Sequence, residues 1–522
     1  MTDSKLIFNV VARLNNVPIG PVPQVELAVD NWDDYTFKTA YEARLHISPE
    51  KSVDLGMIKI LKAGQPGGQH TEIPESFEEL TESFCSLGQD ILYYEVLMNE
   101  VSEPLRNHYL YAIRDVAASR TIHDKFQDEQ GFQTSLLRFG QATNALKAGG
   151  ELLAGISDRA GKLAFDFEWH RSDGEDPIRF AFDTTGELPS RCHVLIGYNG
   201  VGKTTLLADL AMAAGRGYSA NKNDHESNLS GDDTTFGAVV AVSYSAFDTF
   251  ETPENRGSGT KTANSPLLAT ATTEAFGYVY CGLRRILPDQ STSEEHETYK
   301  LKSVVEIEAE FSEALSATGN SDHRRRNLLQ KAFTELSSDV SFGRAGIDLS
   351  KLGTGMNSAD TKAAFRLLST GHKIVLNIVT QLAAHLRTRS LVLIDEPETH
   401  LHPPLMAALL RAVQVLLQGH DSFAIIATHS PVVVQEIESR YVQILERFED
   451  SISLRPPLIE TFGSDIGSIT RHVFSLDSSS SDYQGVLREL ADNFSIEDID
   501  QLFKTGLSPQ ARALVLNYKA NS

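Results

Sequence analysis

"VLIGYNGVGKTTLLADLA", residues Val194–Ala211, decides the fold. A short apolar run enters a glycine-rich loop, then Lys-Thr-Thr, then an amphipathic helix. Gly197-x-x-x-x-Gly202-Lys203-Thr204 satisfies the P-loop pattern in full. Its glycines let the backbone turn tightly, so that N–H groups point at phosphate oxygens, and the following helix adds its positive N-terminal end. In such a loop Lys203 reaches the β- and γ-phosphates and the Thr204 hydroxyl ligates Mg2+. Asn199, Gly200, Gly202 and Thr205 are the remaining expected nucleotide contacts. An ordinary Gly-rich turn has no reason to combine a strand before, a helix after and every fixed position. The stretch predicts ATP or GTP binding.

"LVLIDEPETHLHP" (Leu391–Pro403) reads as a buried strand ending in Asp395-Glu396. Ligands of open α/β sheets bind at the carboxyl ends of strands. At such an end Asp395 can hold Mg2+ and Glu396 can polarise the attacking water. "LLSTGHK" (Leu367–Lys373) precedes a helix with Ile374, Ile378, Leu382 and Leu386 on one face. The start of that helix, with Ser369, Gly371 and His372, is a second anion site. A single P-loop has no use for one, whereas an ATPase that sandwiches nucleotide between two protomers does. The plainer alternative is an N-capped surface helix. "FAIIATHSP" (Phe423–Pro431) delivers His429 to the same sheet edge, where an imidazole can sense the γ-phosphate. A lone histidine after a strand is more often structural, but its place after the Asp-Glu pair favours a role in hydrolysis.

Composition sets outer bounds. The chain has 522 residues, 41% of them hydrophobic, enough for a sizeable core and two to four domains. It has no apolar run of 18 residues and no basic-then-apolar N-terminal segment, so neither a membrane span nor a signal peptide is expected. Cys85, Cys192 and Cys281 are far apart with no CxxC, which suits reduced thiols in a cytoplasmic protein. A net charge of −23 argues against broad coating of DNA, though not against a local basic groove.

Along the chain, residues 1–70 read as β-rich, with period-two alternation from Tyr35 to Ile47. Ser76 with Glu79 has the form of a capping box and predicts a helix through "FEELTESFCSLGQDILYYEVLMNEV", opening a helical region over 71–159. "KLAFDFEWH" and "IRFAFDT" form a strand pair at the start of an ATPase domain spanning 160–475. An insert over 250–350 interrupts it, with a loop "ETPENRGSGTKTANSP" and polar helices "SVVEIEAEFSEALSA" and "DHRRRNLLQKAFTEL". A helical tail, 476–522, follows the serine-rich "LDSSSSD".

The order Gly-loop, "LSTGHK", "IDEP", "ATHSP" resembles the ABC-type ATPase superfamily. The resemblance implies an α/β fold: an ABC-type P-loop ATPase with a β-rich plus helical N-terminal extension, a mid-chain insert and a helical C-terminal tail. It makes Ser369 and Gly371 signature-motif residues acting across a homodimer, His400–His402 part of the interface-lining loop, and His429 the switch histidine. ATP and Mg2+ are the implied substrate and cofactor. The usual Gly-Gln ending of the signature is missing, and no glutamine follows "AVVAVSYS" where the superfamily places one. Ser245 or Asp248 stands nearby instead.

Almost 200 residues precede the P-loop, unlike a transporter subunit, and the insert lacks the heptads of a chromosome-organising arm. "SYSAFD", "LSTGHKIVL", "DEPETHLHP" and the C-terminal tail resemble the PtuA ATPases of Septu-type antiphage defence, including retron-associated versions. That resemblance implies a separate HNH nuclease partner and, in a retron, a reverse transcriptase with its RNA–DNA product. Two other readings stay open: an ATP-gated DNA-binding clamp, and a nuclease like the overcoming-lysogenization-defect enzymes. Asp498-Ile499-Asp500 reads as the surface of a capped helix rather than a metal site. "HRRR" (His323–Arg326) and Arg284-Arg285 offer phosphate contacts to DNA, or merely a solvated helix face.

Overall fold

The computed structural model describes residues 5–521 apart from 16–17, 31–36, 69, 156–163, 171–176, 184–187, 189, 216–227, 231–234, 247, 251–273, 276, 287–298, 321–322, 353–357, 449–450 and 474–481. The expected loop at 251–266 and most of the serine-rich stretch lie outside these residues.

An eight-stranded sheet carries the P-loop. In spatial order its strands are Glu274–Ala275, Tyr278–Gly282, Val239–Ser243, Leu391–Asp395, Phe423–Thr428, Cys192–Ile196, Val442–Phe448 and Ser451–Arg455. The inner six run parallel, and the first and last are antiparallel edges. The inner strands are almost unbroken apolar runs because both faces are covered. Val194, Val240, Val242, Ala424 and Ile426 pack under the helices Val304–Asn320, His323–Leu336, Thr370–His385 and Pro403–Gly419. Their neighbours Leu195, Val239, Ala241, Ile425 and Ala427 face the other way, toward the helix Lys203–Gly215 and the antiparallel strands Ala164–His170 and Ile178–Asp183.

The stretch expected as an insert is therefore built into the ATPase core. Tyr278–Gly282 is a parallel strand of the main sheet, and Phe311, Leu329, Phe333 and Leu336 of the two "polar" helices join its hydrophobic cluster.

The N-terminal region is a second sheet, ordered Ser76–Phe77, Ile7–Val11, Gln24–Val29, Ala40–His46, Ser52–Lys62, Phe84–Gly88. Ala40–His46 keeps the expected alternation of faces. The helix expected from Ser76 does not form there. Phe77 pairs antiparallel with Phe8 and stacks on its ring at 4.9 Å, while Phe84–Gly88 is a fully buried strand against Ser52–Lys62. Strand pairing with an apolar partner outweighs the local capping pattern. The helix begins instead at Ile91, where Asp90 accepts the Leu92 N–H at 2.9 Å. With Glu103–Ala112, Arg120–Phe126 and Gly140–Leu153 it covers the sheet in one hydrophobic cluster.

This second sheet and its helices are joined to the first through residues just after the helix Thr370–His385. Arg387, 1% exposed, sets Nε 3.0 Å from Asp90 Oδ2 and donates through Nη1 to the His385 carbonyl at 2.9 Å. The Thr388 hydroxyl donates to Glu95 Oε1 at 2.8 Å. Beyond residue 481, helices Asp482–Asn493, Ile496–Leu502 and Pro509–Asn521 gather around Leu487, Ala491, Ile499 and Val515. Asp498 and Asp500 belong to that bundle: Asp498 accepts from Ser495 and Asp500 pairs with Arg512. The three cysteines are buried and none forms a disulfide. Among the described residues no helix is long and apolar enough to cross a membrane.

Candidate active site

Register in the main sheet brings the expected residues together. Ser243 pairs with Asp395, Asp395 with Ala427, and Ala427 with Leu195. Because the strands are parallel, their carboxyl ends emerge side by side, and the loops after Ile196, Asp395 and Thr428 share one edge.

Gly200 and Gly202 adopt φ of +82° and +102°, a conformation side chains resist, and so let the loop turn tightly. Lys203, 4% exposed, donates to the Gly197 and Tyr198 carbonyls at 3.1 and 3.2 Å. Asn199 and Gly200 lie exposed at the loop's tip, and Thr205 is exposed in the first turn of the helix. The Thr204 hydroxyl donates to Asp395 Oδ2 at 2.8 Å, while Asp395 Oδ1 is buried with no hydrogen-bond partner among the described residues. Burial, with the Glu396 and Asp248 carboxylates nearby, pushes the Asp395 carboxyl up to about 7. A divalent cation at this point would give the orphaned oxygen a partner and offset the repulsion. Hard oxygen donors, one hydroxyl and one carboxylate, suit Mg2+. The residues fit the cofactor.

Glu396 follows in the left-handed region, φ +43°, which is strained for a side-chain-bearing residue. Its amide donates to the Ala427 carbonyl at 2.9 Å. The turn sets Glu396 Oε1 3.7 Å from both Lys203 Nζ and His429 Nδ1. One residue here escaped the sequence reading. Glu398 Oε1 accepts from the Thr428 hydroxyl and the His429 amide, both at 2.7 Å, and lies 3.2 Å from His429 Nδ1. It fixes the histidine ring by one nitrogen and leaves the other for a ligand. The signal was the repeated acid in "DEPETH", at a position whose partner lies 31 residues onward.

Ser369 caps the helix Thr370–His385, as the plainer alternative had it, and is exposed to solvent. Gly371 is needed for close approach, since a Cβ there would lie 2.8 Å from the His400 carbonyl oxygen. His372 is placed differently from a nucleotide contact. Its ring is 7% exposed and packs edge-on against Phe342 at 4.4 Å, and both nitrogens are engaged inside the chain, with Ser369 and Ser341. Asp248 is likewise engaged, accepting from the Tyr280 hydroxyl at 2.8 Å and from Arg284 Nε at 3.0 Å.

Two of the basic residues offered as DNA contacts, Arg284 and Arg325, are buried and engaged within the chain, whereas Arg324 and Arg326 are exposed. Arg284 is 8% exposed and tied to Asp248. Arg325 is 3% exposed and donates to the Leu386 carbonyl at 2.9 Å, closing the end of the Thr370–His385 helix. Arg324 reaches the Gly419 carbonyl at 2.6 Å. The side chains of His323 and Arg285 lie outside the described residues.

Residues 289–435 match the family described as "AAA domain, putative AbiEii toxin, Type IV TA system". That stretch holds Ser369, Asp395, Glu396 and His429; the P-loop precedes it. Over 516 residues the chain is 30% identical to protein ea59 of Escherichia phage lambda, a match covering 94% of this chain and 93% of that protein. The chain belongs to the ea59 family. Among solved structures it is similar to a metal-chelate type ABC transporter in an inward-facing conformation, at 14% identity and TM-score 0.28 over 56% of this chain and 82% of that one. It is also similar to the SMC head domain from Thermotoga maritima, at 12% identity and TM-score 0.25 over 57% and 99%. This member of the ea59 family thus carries a P-loop on a mainly parallel sheet, and its residues 289–435 match an AAA domain.

Proposed function

We propose that this chain hydrolyses ATP as a homodimer closed around two nucleotides, and that closure switches a separate partner of the HNH nuclease type in antiphage defence. The observation that carries the hydrolytic part is the meeting of Lys203, Thr204, Asp395, Glu396 and His429 at one sheet edge. Lys203 binds and orients the phosphates, relinquishing the loop carbonyls it now holds. Thr204 and Asp395 would hold Mg2+, which supplies positive charge to the phosphate oxygens. Glu396 takes the proton of the attacking water. His429, steadied by Glu398, hydrogen-bonds the γ-phosphate oxygens and registers their departure. Ser369, remote in sequence yet exposed at a helix start, completes the site from the facing copy.

The partner follows from the resemblance to Septu ATPases, and a relative carried by a bacteriophage is in keeping with a role in contests between phage and host. The internal engagement of Arg284 and Arg325 favours this reading over a DNA clamp. Light scattering tests the dimer: Glu396→Gln with ATP and Mg2+ is expected at twice the monomer mass. A monomer at every ATP concentration would sink the proposal. Co-expression with an HNH nuclease then tests the partner, whose nicking of DNA is expected to depend on Lys203.

A further inference from the structure

Ser369 does not stand alone at its helix start. A chain of hydrogen bonds runs inward from it: Ser369 Oγ to His372 Nδ1 at 2.7 Å, His372 Nε2 to Ser341 Oγ at 2.8 Å, and Ser341 Oγ to the Asp339 carboxylate. The Ser341 amide also donates to Asp339 Oδ1, at 2.7 Å. Asp339 caps the short helix Val340–Arg344, so a different segment braces the signature-like helix from outside.

The donor inventory fixes every hydrogen in this chain. An ionised carboxylate only accepts, so Ser341 gives its single hydroxyl hydrogen to Asp339. Ser341 Oγ can then only accept from His372, which places the ring hydrogen on Nε2. Nδ1 is left bare, and the Ser369 hydroxyl must donate to it. With one lone pair accepting the His372 amide at 3.4 Å, the hydroxyl turns its other lone pair toward solvent, where a γ-phosphate oxygen, itself acceptor-only, would be repelled.

We infer that Asp339, Ser341 and His372 form a positioning relay that holds the Ser369 hydrogen inward in the free chain, and that nucleotide-driven closure draws one proton onto His372 to turn it outward. The inference rests on the dimer proposed above. The proton comes from solvent by way of exposed Ser369. Nδ1–H then donates to Ser369 Oγ, and the serine's hydrogen is released to a phosphate oxygen held by the facing copy. Asp339 faces the resulting imidazolium through Ser341. His402, from the turn before Pro403–Gly419, is the other titratable group acting on the ring and opposes its charge. Burial, then His402, keeps His372 below the ordinary histidine value, so the free chain holds it neutral. Burial alone would raise Asp339, but the hydrogen bonds from Ser341 and the two nearby histidines hold it below the usual carboxylate range.

The test uses the full chain carrying Glu396→Gln and His429→Gln, which removes hydrolysis and the other histidine at the phosphate. ATP-driven dimerisation is measured by sedimentation from pH 8.5 to 6, and proton uptake by calorimetry in two buffers of different ionisation enthalpy. Dimerisation is expected to tighten at least tenfold toward pH 6, with about one proton taken up per site near neutrality. Adding His372→Gln, which can donate but not titrate, is expected to flatten the profile and abolish the uptake. Asp339→Asn is expected to move the profile toward lower pH. A dimer whose affinity is flat with pH, with no proton uptake, overturns the relay and leaves the ATP sandwich standing. Absence of a dimer at every pH overturns the sandwich itself. The calorimetric readout does not depend on either relay variant folding.

Discussion

Glu398 and His429 meet at the ends of two neighbouring strands, with Glu398 Oε1 3.2 Å from His429 Nδ1 and 2.7 Å from the His429 amide. One carboxylate oxygen thus fixes both the backbone and the ring of the residue proposed to face the γ-phosphate. Glu398→Gln is expected to lower kcat about tenfold to a hundredfold, the range for losing an orienting partner. KM for ATP is expected to stay within about twofold, since Lys203 and the loop are untouched. Steady-state kinetics separates the two, and an equal rise in KM would place Glu398 in binding instead.

Glu396 occupies a left-handed turn at φ +43°. Such a conformation costs a side-chain-bearing residue about 1–2 kcal/mol. Glu396→Gly is expected to raise stability by about 1 kcal/mol while abolishing hydrolysis; the loss of its partly exposed approach to Lys203 offsets little. Glu396→Gln keeps the backbone strain and is expected to melt like the unaltered chain. Thermal melts of the two variants side by side check this.

His193 lies among the rings of Phe180, Phe182 and Tyr441 and bonds the Ala181 carbonyl at 2.9 Å. Burial pushes its pKa down to about 4. The folded chain holds the ring neutral while the unfolded chain charges it below about 6.5. Its contribution to stability is thus intact above pH 6.5 and is lost as the pH falls through that value toward 4. By linkage the loss at pH 5 is about 2 kcal/mol. Urea midpoints at pH 7.5 and 5 are expected to differ by less in His193→Phe, and an unchanged difference would assign the acid sensitivity to other groups.

Asp90 supplies the countercharge to Arg387, which is almost wholly buried. Asp90→Ala removes the carboxylate beside that buried guanidinium together with the cap of the helix Ile91–Glu100, and is expected to cost about 3 kcal/mol. Asp90→Asn, which can still cap, is expected to cost less. The order is read from denaturant titration of the first unfolding transition.

The sequence made the candidate site legible wherever its residues lie in local spacing. Lys203 and Thr204 sit in one loop, Asp395 and Glu396 at one strand end, and register then brings them together. Glu398 was opaque because its role exists only once two loops meet. His372 misled for a similar reason, since its ring is captured by Ser341, a residue in another helix. Ser76 and Glu79 carried a real helix-start pattern, but Phe77 found Phe8 across the sheet. The strand Tyr278–Gly282 was hidden between segments rich in Ser and Thr, and nothing in its five residues names the neighbour it pairs with. Arg325 read as a surface cation because pattern alone cannot show the open carbonyls that it closes.

The helix Thr370–His385 spans 16 residues, about 24 Å from end to end. Ser369 stands at one end, and just past the other lies Arg387, held by Asp90. For a geneticist this means that inactivating alleles will fall into two groups far apart on the map. One group will cluster around the motifs any sequence search would flag. The other will fall at Asp90 and Glu95, in a region no search for nucleotide-binding motifs would mark, and will look unrelated until both are drawn on the same rod.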